Sequence, residues 1–206
     1  LSLAQRNTSE SNRQAESRLS WIAANMPLHP FRDRSILEMA KLQIADRRKD
    51  TAIATLTKIE NSSGLPGIRQ ESARLLARLH FEGGAFTSAS SAFLRAHRSL
   101  PAGEGDICAL NAGISLLRAG DKTSFRGLLQ ALDPLEVRNT LLLERALHEA
   151  SLQSGDAETL LKTFLERHPR HPRSAEAHLA LLESYVRSNQ GDTQTLEQIS
   201  AQAASL

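Results

Sequence analysis

Cysteine, aromatics, β-branched residues and long apolar runs are all scarce in this chain of 206 residues. Cys108 is the single cysteine, so no intrachain disulfide can form and no cysteine-based zinc site exists. A lone cysteine is compatible with the cytosol or with the cell envelope. Aromatics make up 4% of residues, which leaves few stacking platforms of the kind single-strand nucleic-acid binders use. No apolar run approaches the ~18 residues that a membrane span requires. No leader-like segment is legible, and the chain begins at Leu1 rather than Met, as a processed or excised piece of a longer protein would. Net charge is small: 25 Lys and Arg stand against 23 Asp and Glu, and the basic residues form no concentrated stripe. Neither specific nucleic-acid binding nor membrane insertion is expected.

What is abundant is leucine and alanine. The chain holds 33 Leu and 28 Ala against 9 Ile and 2 Val. Unbranched residues and Ala favour helix, and β-branched ones favour strand, so this ratio predicts an all-α protein. Hydrophobic content of 40% with 23% charged residues suits a folded chain.

A repeat is visible in the spacing. Ala15-Glu16, Leu19, Ile22 and Pro27-Leu28-His29-Pro30 return 142 positions later, without a gap, as Ala157-Glu158, Leu161, Phe164 and Pro169-Arg170-His171-Pro172. A small residue followed by apolar residues four and seven positions on lies along one helical face. That triplet recurs as Ala15-Leu19-Ile22, Ala52-Leu56-Ile59, Ala89-Phe93-Ala96, Ser124-Leu128-Ala131 and Ala157-Leu161-Phe164. Turn signals precede these helices at Lys49-Asp50, Gly83-Gly84, Gly120-Asp121 and Gly155-Asp156, and another stands at Gly191-Asp192. Gly would end one helix in the left-handed conformation and Asp would cap the next. Partner helices are expected near 33–47, 68–82, 106–119, 137–154 and 173–188. Pro-rich or Gly-rich breaks then separate successive hairpins.

The copy carrying Leu76, Ala77, Gly84, Phe86, Ala89, Phe93, Ala96 and Pro101 resembles the tetratricopeptide repeat in order and spacing. The likeness covers about residues 12–200, and the run over one proline into a second is similar to bacterial cell-envelope members of the family. It departs from the family in lacking the Trp early in the first helix, since Trp21 falls in a second helix. The resemblance implies an all-α, tetratricopeptide-like solenoid of about five antiparallel helix pairs in a right-handed superhelix. Residues 1–11 read as a polar segment or linker, and residues 12–206 as the repeat domain.

No complete catalytic constellation is legible: there is no nucleophile elbow, phosphate-cradling loop or His-Glu-x-x-His helix. No cofactor and no metal are expected. His168, His171 and His178 have the residue type for zinc ligands or an anion-binding patch, but prolines interrupt the cluster and no carboxylate completes it, so a solvated inter-repeat turn is the expectation. Cys108 reads as a small core residue. If first helices line the concave side, as the resemblance implies, then Arg74, Arg78, Arg118, Arg145 and His148, with Arg69, give a mildly basic wall. Such a wall selects acidic or carboxylate-ended peptides through charge-assisted hydrogen bonds. The competing reading pairs these cations with Glu71, Glu82, Glu144 and Glu149. The chain is thus expected to be a non-catalytic scaffold for a protein or peptide partner. The alternative is an accessory or regulatory segment of a larger, possibly catalytic, envelope protein.

Overall fold

The computed structural model describes residues 9–133 and 135–188, together with 197 and 201. Among the described residues there are ten helices and no strand: α1 (Ser9–Asn25), α2 (Arg32–Ala45), α3 (Lys49–Ser62), α4 (Pro66–Glu82), α5 (Phe86–Ser99), α6 (Glu104–Arg118), α7 (Lys122–Ala131), α8 (Leu135–Ser151), α9 (Ala157–Arg167) and α10 (Ser174–Ser188). The expected helices therefore form within two or three residues of the positions the pattern gives. The turn signal at Gly191-Asp192 lies outside the described residues. No described helix is long and apolar enough to cross a membrane.

The chain divides into two compact units, the first ending at Ala119 and the second beginning at Gly120. In the first unit each helix from α1 to α6 packs on the next, and α2 also meets α4 across α3. That is the contact pattern of stacked helical hairpins, in which one hairpin cannot bury both faces and leans on its neighbours. In the second unit α8, α9 and α10 pack mutually around Leu143, Ala146, Leu161, Phe164, Ala177, Leu181 and Tyr185.

The second, third and fifth triplets form the core of their hairpins, while Ala15, Leu19 and Ile22 are only half-buried. Ala52, Leu56, Ile59, Ala89, Ala96 and Leu161 are fully buried, and Phe93, Ala157 and Phe164 nearly so. A side chain at the small position meets the neighbouring helix directly. Ala89→Leu is therefore expected to overpack the α4–α5 hairpin at a cost of roughly 1–3 kcal/mol. Ala85, exposed and making no side-chain cap at the N-terminus of α5, serves as the control. Ala85→Ser adds a capping hydroxyl and should match or exceed wild-type stability. Urea denaturation of the two variants checks both expectations.

The fourth copy needs correcting. Ser124 and Ala131 are exposed, while Phe125 and Leu132 are 2% and 3% exposed. Phe125, Leu129 and Leu132 keep the same four-then-three spacing, one residue later than the expected register. A phenyl ring stands where the other copies place a small side chain.

The turns also differ in detail. Before α5 the left-handed position is Gly84 (φ 76°), as expected, and Ala85 N–H closes the turn on His80 O at 2.9 Å. The equivalent turns before α3 and α9 place Arg47 (φ 59°) and Gln153 (φ 55°) in that conformation, not a glycine. There Arg48 N–H bonds Gln43 O at 2.8 Å and Ser154 N–H bonds Glu149 O at 3.0 Å. The same six-to-one bond terminates all three helices, and it offsets the steric cost of a left-handed side chain. Asp121 caps α7 by accepting from Ser124 N at 2.9 Å. Asp156 makes no such bond, and Asp50 lies inside the first turn of α3.

The 142-residue repeat extends to hydrogen bonds. His29 N–H bonds Met26 O at 3.0 Å and His171 N–H bonds His168 O at 3.1 Å. Arg32 N–H bonds His29 O, and Ser174 N–H bonds His171 O, both at 2.9 Å. The imidazoles have the same role: His29 Nδ1 accepts from Phe31 N at 3.1 Å, and His171 Nδ1 from Arg173 N at 3.2 Å. Between helices, Gln43 donates to Glu16 Oε1 at 2.7 Å just as Tyr185 donates to Glu158 Oε1 at 2.7 Å. The histidine of each Pro-x-His-Pro turn takes the first N–H of the following helix on its carbonyl and the N–H just before it on Nδ1.

Candidate functional site

Two hollows are built from residues that the sequence singles out, one in each unit. The first lies between the first helices α4 and α6. Arg74, Leu75 and Arg78 form one wall, Glu104, Ile107, Cys108 and Asn111 the other, and Phe93 of α5 contributes at the base. Its volume is about 270 Å3. Arg74 and Arg78 project from the same side because they are one turn apart. Ile107 is 62% exposed there, an apolar side chain in the open beside two guanidiniums.

Both arginines have carboxylate partners on the surface. Arg74 Nη1 lies 3.1 Å from Glu104 Oε2 across the hollow, and Arg78 Nε lies 3.6 Å from Glu82 Oε1 along its own helix. All four side chains are more than half exposed, so each pair contributes about 0–1 kcal/mol and exchanges readily. Arg118 lies over the ring of Phe81 at 4.7 Å and of Phe86 at 5.7 Å, joining the end of α6 to the α4–α5 turn. Arg69 turns away to donate to Ser63 O at 2.8 Å. Cys108 is 5% exposed, and burial raises its thiol pKa above the ordinary 9.0, so it is a packing residue.

Arg145 and His148 belong to α8 in the second unit and are half-buried. Of the expected partners, Glu82 does take Arg78, but the other three find other cations: Glu71 pairs with Lys41 at 2.6 Å, Glu149 with Lys122 at 3.0 Å, and Glu144 with Arg173. Sequence neighbourhood does not choose these partners, because helix packing does.

The second hollow, about 320 Å3, is lined by Asn139 of α8 and by Arg167, His168, Pro169, Arg170 and His171 of the turn between α9 and α10. Arg167, Pro169, Arg170 and Pro172 are exposed, as a solvated turn requires, while His168 and His171 are half-buried. The rings of His168 and His171 lie 5.2 and 5.3 Å from that of Phe164. With Nδ1 accepting from Arg173 N–H, His171 is the neutral tautomer protonated at Nε2, which faces Thr140 Oγ1 at 3.4 Å. His178 is buried in α10. Among the described residues no three His, Cys, Asp or Glu converge to hold a metal.

These imidazoles make stability depend on pH. Burial lowers the pKa of His171 below 6.5, helped by Arg173 and His168; burial and Arg95 lower that of His80, and burial alone that of His178. A histidine that resists protonation only when folded contributes stability that is complete above 6.5 and is lost as pH falls below it. A second loss should begin below about 4.5. Lys122 lowers the Glu149 carboxyl, Lys162 that of Glu158, and Arg173 that of Glu176; at Glu16 burial acts upward but the bonds from Arg48 and Gln43 outweigh it. Urea midpoints measured from pH 8 downward should fall in these two stages, and a flat profile between pH 7 and pH 5 would contradict the histidine assignment.

No family model and no curated protein matches the chain. Its fold is similar to the crystal structure of a tetratricopeptide repeat protein from Parabacteroides merdae ATCC 43184, with a TM-score of 0.56 at 12% identity. The superposition covers 98% of this chain and 76% of that one. The class is therefore that of all-α, tetratricopeptide-like helical repeats. At this identity the likeness concerns the fold alone; a role in protein interaction is general to such folds, which are typically non-catalytic.

Proposed function

We propose that this chain is a non-catalytic interaction module that holds an acidic, partly apolar segment of a partner protein against its first helices. The observation that carries this reading is the α4–α6 hollow, where exposed Ile107 stands beside Arg74 and Arg78. An apolar side chain of the segment covers Ile107 and Leu75. A carboxylate of the segment displaces Glu104 or Glu82 and takes a forked hydrogen bond from a guanidinium. Arg118 borders the same unit's first-helix surface, and Arg145 with His148 is a separate candidate contact within the second unit. The displaced surface pairs cost little, so the exchange is favourable wherever the partner carboxylate is better oriented.

A random peptide display library supplies the test. Sequences that combine a carboxylate with an apolar residue should be enriched on the full chain, and their affinity should fall as salt rises, because exposed charges are screened over about 8–10 Å. Arg74→Glu with Arg78→Glu should weaken the selected peptides strongly, with helicity unchanged. Enriched peptides that bind this double variant as well as wild type would move the site elsewhere. Turnover of a substrate by the isolated chain would remove the non-catalytic reading.

A further inference from the structure

The two Pro-x-His-Pro turns share their backbone and imidazole bonds but not their side chains. Where the second turn has Arg167, His168 and Arg170, the first has Asn25, Met26 and Leu28. The first turn closes with the same bonds through His29, Phe31 and Arg32 as the second does through His171, Arg173 and Ser174. Leu28 is 97% exposed, so its position is open to solvent and makes no demand on the fold. The two arginines of the second turn are thus surplus to its geometry.

Among the described residues they also lack a paired carboxylate. Neither Arg167 nor Arg170 makes an ion pair with a described residue, whereas neighbouring Arg173 is held by Glu144 and by Glu176 at 2.7 Å. The residues lining the hollow are Asn139, Arg167, His168, Pro169, Arg170 and His171, and none is a carboxylate. Glu136 and Glu176 act on His171 through their charge but do not line the hollow. The α4–α6 hollow, by contrast, carries Glu104 on its own wall.

We propose that this hollow in the second unit binds a dianionic phosphate group, free or as the monoester of a small molecule. Two guanidiniums offer forked donors that match phosphate oxygens, and the Asn139 amide and a ring N–H of His168 add donors at the same wall. About 320 Å3 lies at the low end of the roughly 300–1,000 Å3 typical of small-ligand pockets, room for a phosphate and a short carrier. A nucleic-acid backbone fits less well. Tracking a polymer requires a continued basic groove, and here Glu166 and Glu176 flank the arginines in sequence.

The test uses the full chain, titrated with inorganic phosphate, glycerol 3-phosphate and acetate, and followed by calorimetry and backbone amide shifts. Saturable binding of phosphate or its ester, with shifts centred on residues 139, 167, 168, 170 and 171, is expected; the tighter of the two identifies free anion or ester as the source. The decisive variant is Arg167→Asn with Arg170→Leu, which installs the residues of the first turn. It should melt as wild type does and bind at least about tenfold more weakly. Acetate binding as tight as phosphate, an unsaturable titration, or unchanged phosphate binding by the variant would each overturn the proposal. A variant that loses stability together with binding would overturn it too, because the arginines would then serve the turn itself.

Discussion

Leu161→Ala should cost about 2–5 kcal/mol, and Leu19→Ala, its counterpart 142 residues earlier, less than half of that. Leu161 is fully buried, and its helix α9 packs against both α8 and α10, so deletion of its isobutyl group leaves a cavity with walls on two sides. Leu19 occupies the same place in the triplet of α1, yet it is only half-buried. Among the described residues α1 packs chiefly on α2, with side-chain bonds joining Asn12 to Asp46 and Glu16 to Arg48 in the turn that follows α2. The cavity it leaves is open to water on one side, so both the transfer loss and the void are smaller. Urea denaturation of the two variants measures the contrast. Equal losses would mean that the face of α1 is covered to the same degree as that of α9.

How far the architecture is legible in the sequence follows from where each interaction originates. Helix positions are written locally: Leu and Ala at helical spacing, then Gly84 or Gly120 at a turn, require no knowledge of the neighbouring hairpin. The 142-residue likeness of Pro27–Pro30 to Pro169–Pro172 likewise reflects bonds closed within a few residues, such as Phe31 N to His29 Nδ1. The left-handed turns at Arg47 and Gln153 are less accessible, because nothing in those side chains announces that conformation. The six-to-one bonds to Gln43 and Glu149 hold them there.

Ion pairing is the least legible part. Glu60 accepts from Arg95 Nε at 2.7 Å and from Nη2 at 3.1 Å, 35 positions along the chain. Arg74 meets Glu104 at a separation of 30 rather than Glu71 or Glu82. Such partners are fixed by the depth at which one helix docks on another, and a displacement of one turn replaces the partner. The α4–α6 hollow shows the same limit. Spacing alone places Arg74 and Arg78 on one face, but Ile107 and Glu104 on the opposite wall come from the next hairpin. Of the second hollow, the sequence displays the arginines and histidines, while Asn139 joins them only through the packing of α8.

Phe125→Ala should cost about 3–5 kcal/mol, whereas Ser124→Leu, at the position the repeat pattern assigns to the core, should be nearly neutral. The fourth copy is where pattern and packing disagree. A search for a small residue four before an apolar one selects Ser124-Leu128-Ala131, since Ala at the small position satisfies the rule in the other hairpins. Packing instead selects the larger apolar area, and Phe125 offers far more than Ser124. The cap agrees with that choice: Asp121 accepts from Ser124 N, which fixes the first turn of α7 with Ser124 outward and Phe125 inward. Ser124→Leu leaves that backbone bond intact, removes only an exposed hydroxyl bond to Asp121, and adds a side chain to solvent. Phe125 is only 2% exposed, so its truncation combines the transfer loss with a cavity. Thermal or urea unfolding of the full chain reads the difference, with Leu132→Ala as a second probe of the same face. A larger loss for Ser124→Leu than for Phe125→Ala would restore the register of the repeat pattern and place Phe125 at the surface.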